Sequence, residues 1–285
     1  MQTSLDIIKL YTVFLFITRN VGCDESYSCK PKWPQVLVYN RVGKAGSSLM
    51  LEVLKRLSRT NNFTLVMPKP FFHQQVLIKS IRSWVKGGKG RALIANHFYF
   101  PDILDREKIQ YFNIARHPVS LCTSYYYYLR YGPRPKNRKV KIIKKIGTED
   151  INTCIANAKM RPNCLVCRDG VLSSYFKTCN STCKKPDGIS IEPALQNVKH
   201  YSMIGLTERL GDSVKLLEQV FPSFFHGASP MVQKIGRRKV TSGMRKYILP
   251  NKASLDFLRD YLKGDIQFYK HLDERFEEQF LKCNP

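Results

Sequence analysis

Apolar residues follow two different spacings along the first half of this chain. Short continuous apolar runs at residues 36–39, 63–67, 91–97 and 110–115 predict buried strands. Between them, apolar side chains recur every three or four residues, which predicts helices over residues 47–57, over residues 76–85 and from Pro118 onwards. Alternating strands and helices are typical of a parallel sheet. We therefore predict an α/β fold, a single P-loop-like domain whose central, mainly parallel sheet is flanked by helices.

The second half of the chain begins with an insertion at residues 132–187. Its first part, residues 132–150, is a basic surface segment, and residues 151–187 are rich in cysteine. Residues 201–205 predict a last strand and residues 214–220 a helix. Residues 233–246 predict a second basic loop. Residues 254–280 predict a long amphipathic helix that Gly264 kinks or divides.

Charge and cysteine content narrow the choice of partner. The 285 residues include 47 Lys and Arg against 22 Asp and Glu, a net charge of +25, which predicts a polyanionic partner: nucleic acid, an anionic membrane or a sulfated or carboxylated polysaccharide. Nine cysteines and glycosylation sequons at Asn62 and Asn180 favour an oxidising, secretory compartment. That compartment argues against nucleic acid.

The N-terminal residues predict a targeting segment. The apolar run at residues 10–17 is short for a membrane span and fits the core of a signal peptide, with a shortened signal anchor as the alternative. We assign residues 1–22 to this segment, residues 23–34 to a stalk or leader, and residues 35–285 to the folded domain.

The cysteine-rich insertion admits two interpretations. Cys164 and Cys167, with Cys179 and Cys183, have spacings that suggest zinc, but no histidine lies nearby and common zinc sites are spaced differently. Disulfides are the better interpretation. Because sequence does not determine pairing, Cys154–Cys164 and Cys179–Cys183 are working assignments.

A glycine-bearing turn joins the first predicted strand to the first predicted helix. At such a joint backbone N–H groups and the helix dipole face an anion, and a lysine adds a full charge. Ala45 stands where a Walker A loop needs a magnesium-binding hydroxyl, so we predict a phosphate loop that lacks it. An ordinary joint with a solvated lysine is the alternative. The turn contains Gly43, Lys44, Gly46, Ser47 and Ser48, the serines being expected to cap the helix.

A second anion-binding group follows the fourth predicted strand. Arg116 lies at the carboxyl end of that strand, where open α/β sheets bind ligands, and Ser124 follows about two helical turns later. Arginine binds phosphate through paired donors. Two anion-binding groups, one at the glycine-bearing turn and one at Arg116 and Ser124, imply a ligand that is phosphorylated at two ends. A salt bridge at the strand end would also explain Arg116.

Together these motifs resemble the Golgi glycosaminoglycan 2-O-sulfotransferases, both the uronyl and the heparan sulfate enzymes. The resemblance rests on residues 38–47, on Arg116 with Pro118, on Ser124 and the tyrosines after it, and on residues 204–208 and 238–241. It extends from about Gln35 to the C-terminus.

The resemblance implies 3′-phosphoadenosine 5′-phosphosulfate (PAPS) as sulfate donor and no metal. The loop at residues 44–48 would hold the 5′-phosphosulfate, Arg116 and Ser124 the 3′-phosphate, and residues 238–241 would close over the adenosine. The implied donor-binding set is Arg41, Gly43, Lys44, Ala45, Gly46, Ser47, Ser48, Arg116, Ser124, Arg238, Lys239 and Thr241.

The resemblance also implies a base, His97, and a charge-stabilising residue, Lys44. Histidine titrates near working pH, so it suits removal of a proton from a sugar hydroxyl. Two residues depart from the family pattern: Ala95 replaces a second histidine of the heparan enzyme, and His117 replaces the usual aspartate. His117 is a competing base. The remaining histidines, His73, His200, His226 and His271, are predicted to be structural.

We therefore expect a secretory-pathway sulfotransferase, either a Golgi type II membrane protein or secreted, that acts on the 2-hydroxyl of a uronic acid in heparan, chondroitin or dermatan chains. A non-catalytic glycosaminoglycan-binding protein and a nucleoside-phosphate kinase are the alternatives. The resemblance makes a homotrimer possible. Cations expected to bind the polysaccharide are Arg41, Arg130, Arg134, Lys136, Arg138 and Lys139.

Overall fold

Five strands form one sheet in the computed structural model, which describes residues 29–69, 73–88, 90–103, 105, 107–133, 136–157, 164–165, 167–179, 190–243 and 248–285. The strand order is β2-β3-β1-β4-β5, and all four pairings are parallel. The predicted α/β fold with a parallel sheet is confirmed. The strands are β1 (Val36–Asn40), β2 (Thr64–Val66), β3 (Ala92–Asn96), β4 (Ile109–Ala115) and β5 (Tyr201–Leu206).

Helices lie between β1 and β2, between β2 and β3 and between β4 and β5, whereas the described residues between β3 and β4 contain no helix. The predicted helices after β1, before β3, after β4 and after β5 are all present. In chain order the helices are α1 (Ser47–Thr60), α2 (Gln74–Gly87), α3 (Pro118–Tyr131), α4 (Lys136–Ile146), α5 (Ile151–Ala156), α6 (Val171–Ser174), α7 (Glu192–Val198), α8 (Leu210–Val220), α9 (Pro222–Phe225), α10 (Ala228–Gly243), α11 (Lys252–Tyr261) and α12 (Lys263–Cys283).

The main core forms around the sheet. Every residue of β1, β3 and β5 is buried, as expected for parallel strands that are covered on both faces. The apolar stripe of α1, including Met50 and Leu57, is buried in the same core. Strands of this kind appear in sequence as continuous apolar runs, which explains why they could be predicted.

The order of the strands places three loops at one edge of the sheet. β1 pairs with β3 on one side and with β4 on the other, and Asn40 at the end of β1 lies opposite Asn96 at the end of β3. The chain therefore changes direction across the sheet at β1. Ligands of open α/β sheets bind at such a switch point, beyond the carboxyl ends of the strands. The loops that follow β1, β3 and β4 meet there.

Residues 233–246 were expected to form a loop, and this prediction is wrong for the part that lies in α10. The helix continues to Gly243, and Val232 and Ile235 are buried in the main core. Burial of these apolar side chains, one turn apart, outweighs the low helix propensity of Gly236 and Gly243.

The C-terminal helix is divided, but at Leu262 rather than at Gly264. Leu262 ends α11 and precedes α12, and Gly264 lies in the first turn of α12. Asp169 accepts hydrogen bonds from the backbone N–H groups of Gly264 (2.9 Å) and Asp265 (2.7 Å). A Cβ atom at residue 264 would lie 2.6 Å from the carboxylate of Asp169. Glycine therefore allows this cap to approach.

Three disulfides are present among the described residues. Cys154 pairs with Cys164, as expected, while Cys122–Cys167 and Cys29–Cys283 were not predicted. Cys164 and Cys167 are both oxidised, which removes them from the zinc interpretation. Cys179 is also disulfide-bonded, but Cys183 lies outside the described residues, so the Cys179–Cys183 pair stays a prediction.

Two sequence assignments fall on parts of the chain that are not described. The targeting segment at residues 1–22 and the first part of the stalk lie outside the described residues, as does the sequon at Asn180. In the described ranges, no helix combines the length and the apolar character that a bilayer crossing needs. Asn62 is exposed, in a turn where its φ is 50°.

Candidate functional site

The turn between β1 and α1 has the backbone of an anion-binding loop. Lys44 and Gly46 both adopt left-handed conformations, with φ values of 66° and 70°. This conformation costs a non-glycine residue about 1–2 kcal/mol, so its presence at Lys44 marks a backbone held by its surroundings. Gly46 is the N-cap of α1, and Ser47 and Ser48 are its first two residues rather than its cap. The first N–H groups of the helix thus begin at the predicted phosphate loop.

Lys44 connects this loop to α3. Its Nζ atom lies 4.1 Å from the centre of the Tyr128 ring, a cation–π distance. Its backbone carbonyl accepts a 3.0 Å hydrogen bond from Nη1 of Arg116. Ser124, buried on α3, lies one turn before Tyr128. The two predicted anion-binding groups, the turn at Lys44 and the pair Arg116 and Ser124, are therefore in direct contact through Arg116 and Lys44.

Tyr175 packs beneath the same loop, a contact that the sequence did not indicate. Its hydroxyl would lie 3.2 Å from a Cβ atom at Gly43, so glycine keeps this approach open. Its carbonyl accepts a 2.8 Å hydrogen bond from Nδ2 of Asn40. Burial raises the pKa of Tyr175 to about 12, which keeps the hydroxyl neutral. The cysteine-rich insertion thus contributes Tyr175 to the candidate site.

Arg41 is a buried cation for which the described residues provide no counter-ion. Its side chain is only 5% exposed, and burial lowers the pKa of its guanidinium group. Nη2 donates to Oδ1 of Asn96 at 3.2 Å, whereas Nε has no hydrogen-bond partner. Among the described residues, no carboxylate lies within ion-pair distance of Arg41. A buried unpaired charge is costly, so this position suits an anionic ligand.

His97 follows β3 and lies beside Arg41. Its Nδ1 atom is 2.9 Å from the backbone carbonyl of Arg41. Because a carbonyl only accepts hydrogen bonds, Nδ1 carries the proton and Nε2 has the lone pair of a base. Burial, and then the charge of Arg41, lower the pKa of His97 to about 4. The ring is therefore neutral at neutral pH and able to accept a proton.

The other histidines occupy different surroundings. The ring of His117 packs edge-on against Tyr269 at 5.2 Å, and burial lowers its pKa. His200 stacks on Phe100, and His271 lies 3.9 Å from Glu274. His73 precedes α2 and His226 is exposed. These contacts are those of structural or surface residues.

The surroundings of Arg130 do not support its predicted role in polysaccharide binding. It is fully buried, and its guanidinium carbon lies 3.5 Å from the centre of the Tyr126 ring. Nη2 donates to the carbonyls of Ile146 at 2.8 Å and Cys164 at 3.2 Å. Arg130 therefore holds the insertion against α3. It belongs to the structure of that region and not to its basic surface.

The remaining predicted cations and the adenosine loop are described only in part. Arg134 lies outside the described residues. For the others the structure gives the helix but not the side chain: α4 carries Lys136, Arg138 and Lys139, and α10 carries Arg238, Lys239 and Thr241. Their binding roles stay predictions.

Fold and site together define an α/β protein with a left-handed turn after β1, a buried arginine that has no ion-pair partner in the described part of the chain, and a histidine whose pKa is lowered by burial. Relatives with curated functions are consistent with that description. The chain is 29% identical over 266 residues to mouse uronyl 2-sulfotransferase, an alignment that covers 86% of this chain and 63% of the relative. It is 27% identical over 266 residues to human heparan sulfate 2-O-sulfotransferase 1, covering 87% and 72% of the two chains.

Similarity to these enzymes extends to an invertebrate relative. Heparan sulfate 2-O-sulfotransferase hst-2 of Caenorhabditis elegans is 27% identical over 279 residues, which covers 89% of this chain and 84% of the relative. The resemblance inferred from the motifs is thus confirmed. The match to mouse uronyl 2-sulfotransferase spans less than two thirds of that protein, at 63%. No protein-family model matches the chain.

Among solved structures, mouse sulfotransferase SULT7A1 complexed with PAP is similar at a TM-score of 0.38 and 15% identity. The alignment covers 91% of this chain and 88% of that protein.

Proposed function

We propose that this protein transfers a sulfuryl group from PAPS to the 2-hydroxyl of a uronic acid in a glycosaminoglycan. The observation that carries the proposal is the juxtaposition of Arg41 and His97. A buried cation with no counter-ion among the described residues lies next to a neutral histidine, at the edge of the sheet where the predicted phosphate loop begins. Similarity to uronyl and heparan sulfate 2-sulfotransferases supports the same reaction.

The described residues fit a donor with anionic groups at two ends. The left-handed turn at Lys44 and the start of α1 suit the 5′-phosphosulfate, which would also supply the missing counter-ion of Arg41. Arg116 and Ser124 suit the 3′-phosphate. Arg116 donates to the carbonyl of Lys44, so one hydrogen bond couples the two anion-binding groups.

The chemistry requires one proton acceptor and stabilisation of one leaving group. The sugar hydroxyl attacks sulfur, a new oxygen–sulfur bond forms, and the bond from sulfur to the phosphate oxygen breaks. Nε2 of His97 takes the hydroxyl proton. Lys44, held over the Tyr128 ring, stabilises the charge that develops on the departing phosphate.

A pKa of about 4 makes His97 a weak base in the protein without ligands. The field of Arg41 contributes to this low pKa, and a bound polyanion would oppose that field. Donor binding would therefore raise the basicity of His97. The base would become effective only when the donor is in place.

We also propose a polysaccharide as the acceptor and a secretory compartment as the location. The net charge of +25 is consistent with a sulfated or carboxylated polysaccharide, and the disulfides are consistent with a secretory compartment such as the Golgi lumen. Heparan, chondroitin and dermatan chains are all candidate acceptors.

A transfer assay tests the proposal. The full chain would be incubated with radiolabelled PAPS and desulfated heparan, dermatan or chondroitin, and the products analysed as disaccharides. We expect sulfate on the 2-hydroxyl of uronic acid. His97→Ala should abolish transfer while adenosine 3′,5′-bisphosphate (PAP) still binds. Binding of polysaccharide without any transfer would refute catalysis and favour a glycosaminoglycan-binding protein. Magnesium-dependent phosphoryl transfer from a nucleotide, without transfer of sulfate, would favour a kinase.

A further inference from the structure

Asn96, the last residue of β3, makes an unusual set of contacts. Its side chain is buried, and both of its polar atoms are used. Oδ1 accepts hydrogen bonds from the backbone N–H of His97 at 2.9 Å and from Nη2 of Arg41 at 3.2 Å. Nδ2 donates to the carbonyl of Pro68. One amide thus contacts both the candidate base and the buried cation.

These hydrogen bonds belong to a connected set that links the end of β1 to the end of β3. The backbone N–H of Arg41 donates to the carbonyl of Asn96 at 2.8 Å, and Nδ1 of His97 donates back to the carbonyl of Arg41 at 2.9 Å. Asn40 and Asn96 are partners in the β1–β3 register, which brings the two loops together. The orientation of the His97 ring is therefore coupled to the position of Arg41 through Asn96.

The neutral amide also has an electrostatic consequence. An aspartate at this position would have the same shape and would form an ion pair with Arg41, whereas asparagine orients the guanidinium without neutralising it. Among the described residues, the titratable side chains that would stabilise the charge of Arg41 if they were ionised are Tyr39 and Tyr175, while His97 is neutral. Burial raises the pKa of both phenols and keeps them uncharged. The charge of Arg41 is thus left for a ligand.

We propose that Asn96 is a positioning residue, which fixes the His97 ring and holds Arg41 in place while leaving its charge for the anionic donor. This inference rests on the proposed function. It adds that a neutral hydrogen-bond acceptor is needed at residue 96. The pairing of base and cation then depends on this side chain and not only on the phosphate loop.

The Asn96→Asp substitution tests the electrostatic part, since it keeps the shape and adds a charge. A carboxylate next to His97 and Arg41 should raise the pKa of His97 by about one unit or more. It should also weaken PAP binding about tenfold, because the internal carboxylate competes with the ligand for Arg41. The pKa would be followed by NMR of ring-labelled histidine, with His97→Gln to assign the resonance, and the affinity by calorimetry.

The Asn96→Ala substitution tests the positioning part and serves if the aspartate variant does not fold. It leaves Arg41 charged but removes both contacts of Oδ1, so kcat should fall about tenfold or more while PAP affinity changes less than about threefold. Asn61→Asp is the matched control, because Nδ2 of Asn61 also donates to carbonyls, those of Phe224 and His226. It should leave kcat, PAP affinity and the His97 pKa unchanged.

Unchanged PAP affinity and an unchanged His97 pKa in Asn96→Asp would overturn the inference, as would a normal kcat in Asn96→Ala. Failure of the proposed function is a separate result. If the unaltered protein transfers no sulfate, PAP binding and the His97 titration still report on Asn96.

Discussion

Replacement of Arg41 by methionine should strengthen the fold and weaken donor binding at the same time. Arg41 is 5% exposed, donates one hydrogen bond, to Asn96, and leaves Nε without a partner. Methionine is apolar, unbranched and similar in length, so it fills much of the same space. The substitution removes a buried charge and keeps most of the packing.

The magnitudes follow from the contacts of Arg41. Replacing buried charges by apolar side chains of similar volume is often neutral or stabilising by about 1–4 kcal/mol. Loss of one hydrogen bond, that to Asn96, subtracts about 1–2 kcal/mol. The net change in the free energy of unfolding then runs from a loss of about 1 to a gain of about 3 kcal/mol, centred on a small gain. A charge-assisted contact to the donor contributes about 1.5–3 kcal/mol, so PAP affinity should fall about 10- to 150-fold.

Urea unfolding and calorimetric titration with PAP measure the two effects on the same samples. The control is Arg56→Met, since Arg56 is an exposed residue of α1 that pairs with Glu52 at 3.3 Å. That variant should bind PAP normally and lose no more than about 0.5 kcal/mol of stability. Loss of stability by about 2 kcal/mol or more in Arg41→Met, with PAP affinity intact, would show that Arg41 has a structural role and would refute the reasoning.

Three further predictions concern His97, Lys44 and the Cys29–Cys283 disulfide. Since burial and Arg41 lower the pKa of His97 to about 4 in the protein without donor, kcat/KM for PAPS should stay nearly constant from pH 8 to about pH 5 and fall below it; a midpoint near pH 6.5 in this parameter would contradict this environment. Tyr128→Leu should lower kcat about 2- to 30-fold by removing the ring beneath Lys44, whereas Tyr128→Phe keeps the ring and most of the activity; equal losses in both variants would implicate the hydroxyl instead. The double substitution Cys29→Ser/Cys283→Ser should lower the free energy of unfolding by about 2–5 kcal/mol, because this disulfide links residues 254 positions apart; unchanged urea unfolding would contradict it.

Most of the sheet could be predicted because β1, β3 and β5 are fully buried. Continuous apolar runs such as residues 36–39 mark strands of this kind directly, and the helical spacing that alternates with them indicates parallel neighbours. The α10 region could not be predicted in the same way. Its charge density and glycines indicate a loop, and only the tertiary contacts of Val232 and Ile235 reveal the helix. The Cys29–Cys283 disulfide was not predicted for a related reason, since these two cysteines are neighbours only after folding.

The candidate site residues that the sequence indicates most directly are those at strand ends. Lys44, His97 and Arg116 follow β1, β3 and β4, and parallel strands bring their carboxyl ends to one edge. Arg130 was misassigned because it appears to continue a basic segment, while its acceptors on Ile146 and Cys164 are distant in sequence. Asn96 was overlooked because a single amide forms no motif. Its position as a polar residue that ends an apolar strand, directly before His97, was the available indication.

The contacts of Arg116 and His117 explain how the proposed donor site accommodates the lack of an aspartate at residue 117. An aspartate there would be expected to accept hydrogen bonds at the start of α3 and to orient Arg116. In this protein Glu208 accepts the backbone N–H of His117 at 3.0 Å, and the hydroxyl of Tyr269 donates to the other oxygen of Glu208 at 3.0 Å. A carboxylate therefore still lies at the positive end of the helix dipole, although it comes from the turn after β5. Arg116 is oriented by the carbonyl of Lys44, which also fixes it relative to the phosphate loop. Glu208 thus replaces the aspartate as the acceptor at the start of α3, and the carbonyl of Lys44 replaces it as the group that orients Arg116. Histidine at residue 117 is therefore compatible with the proposed binding of the donor.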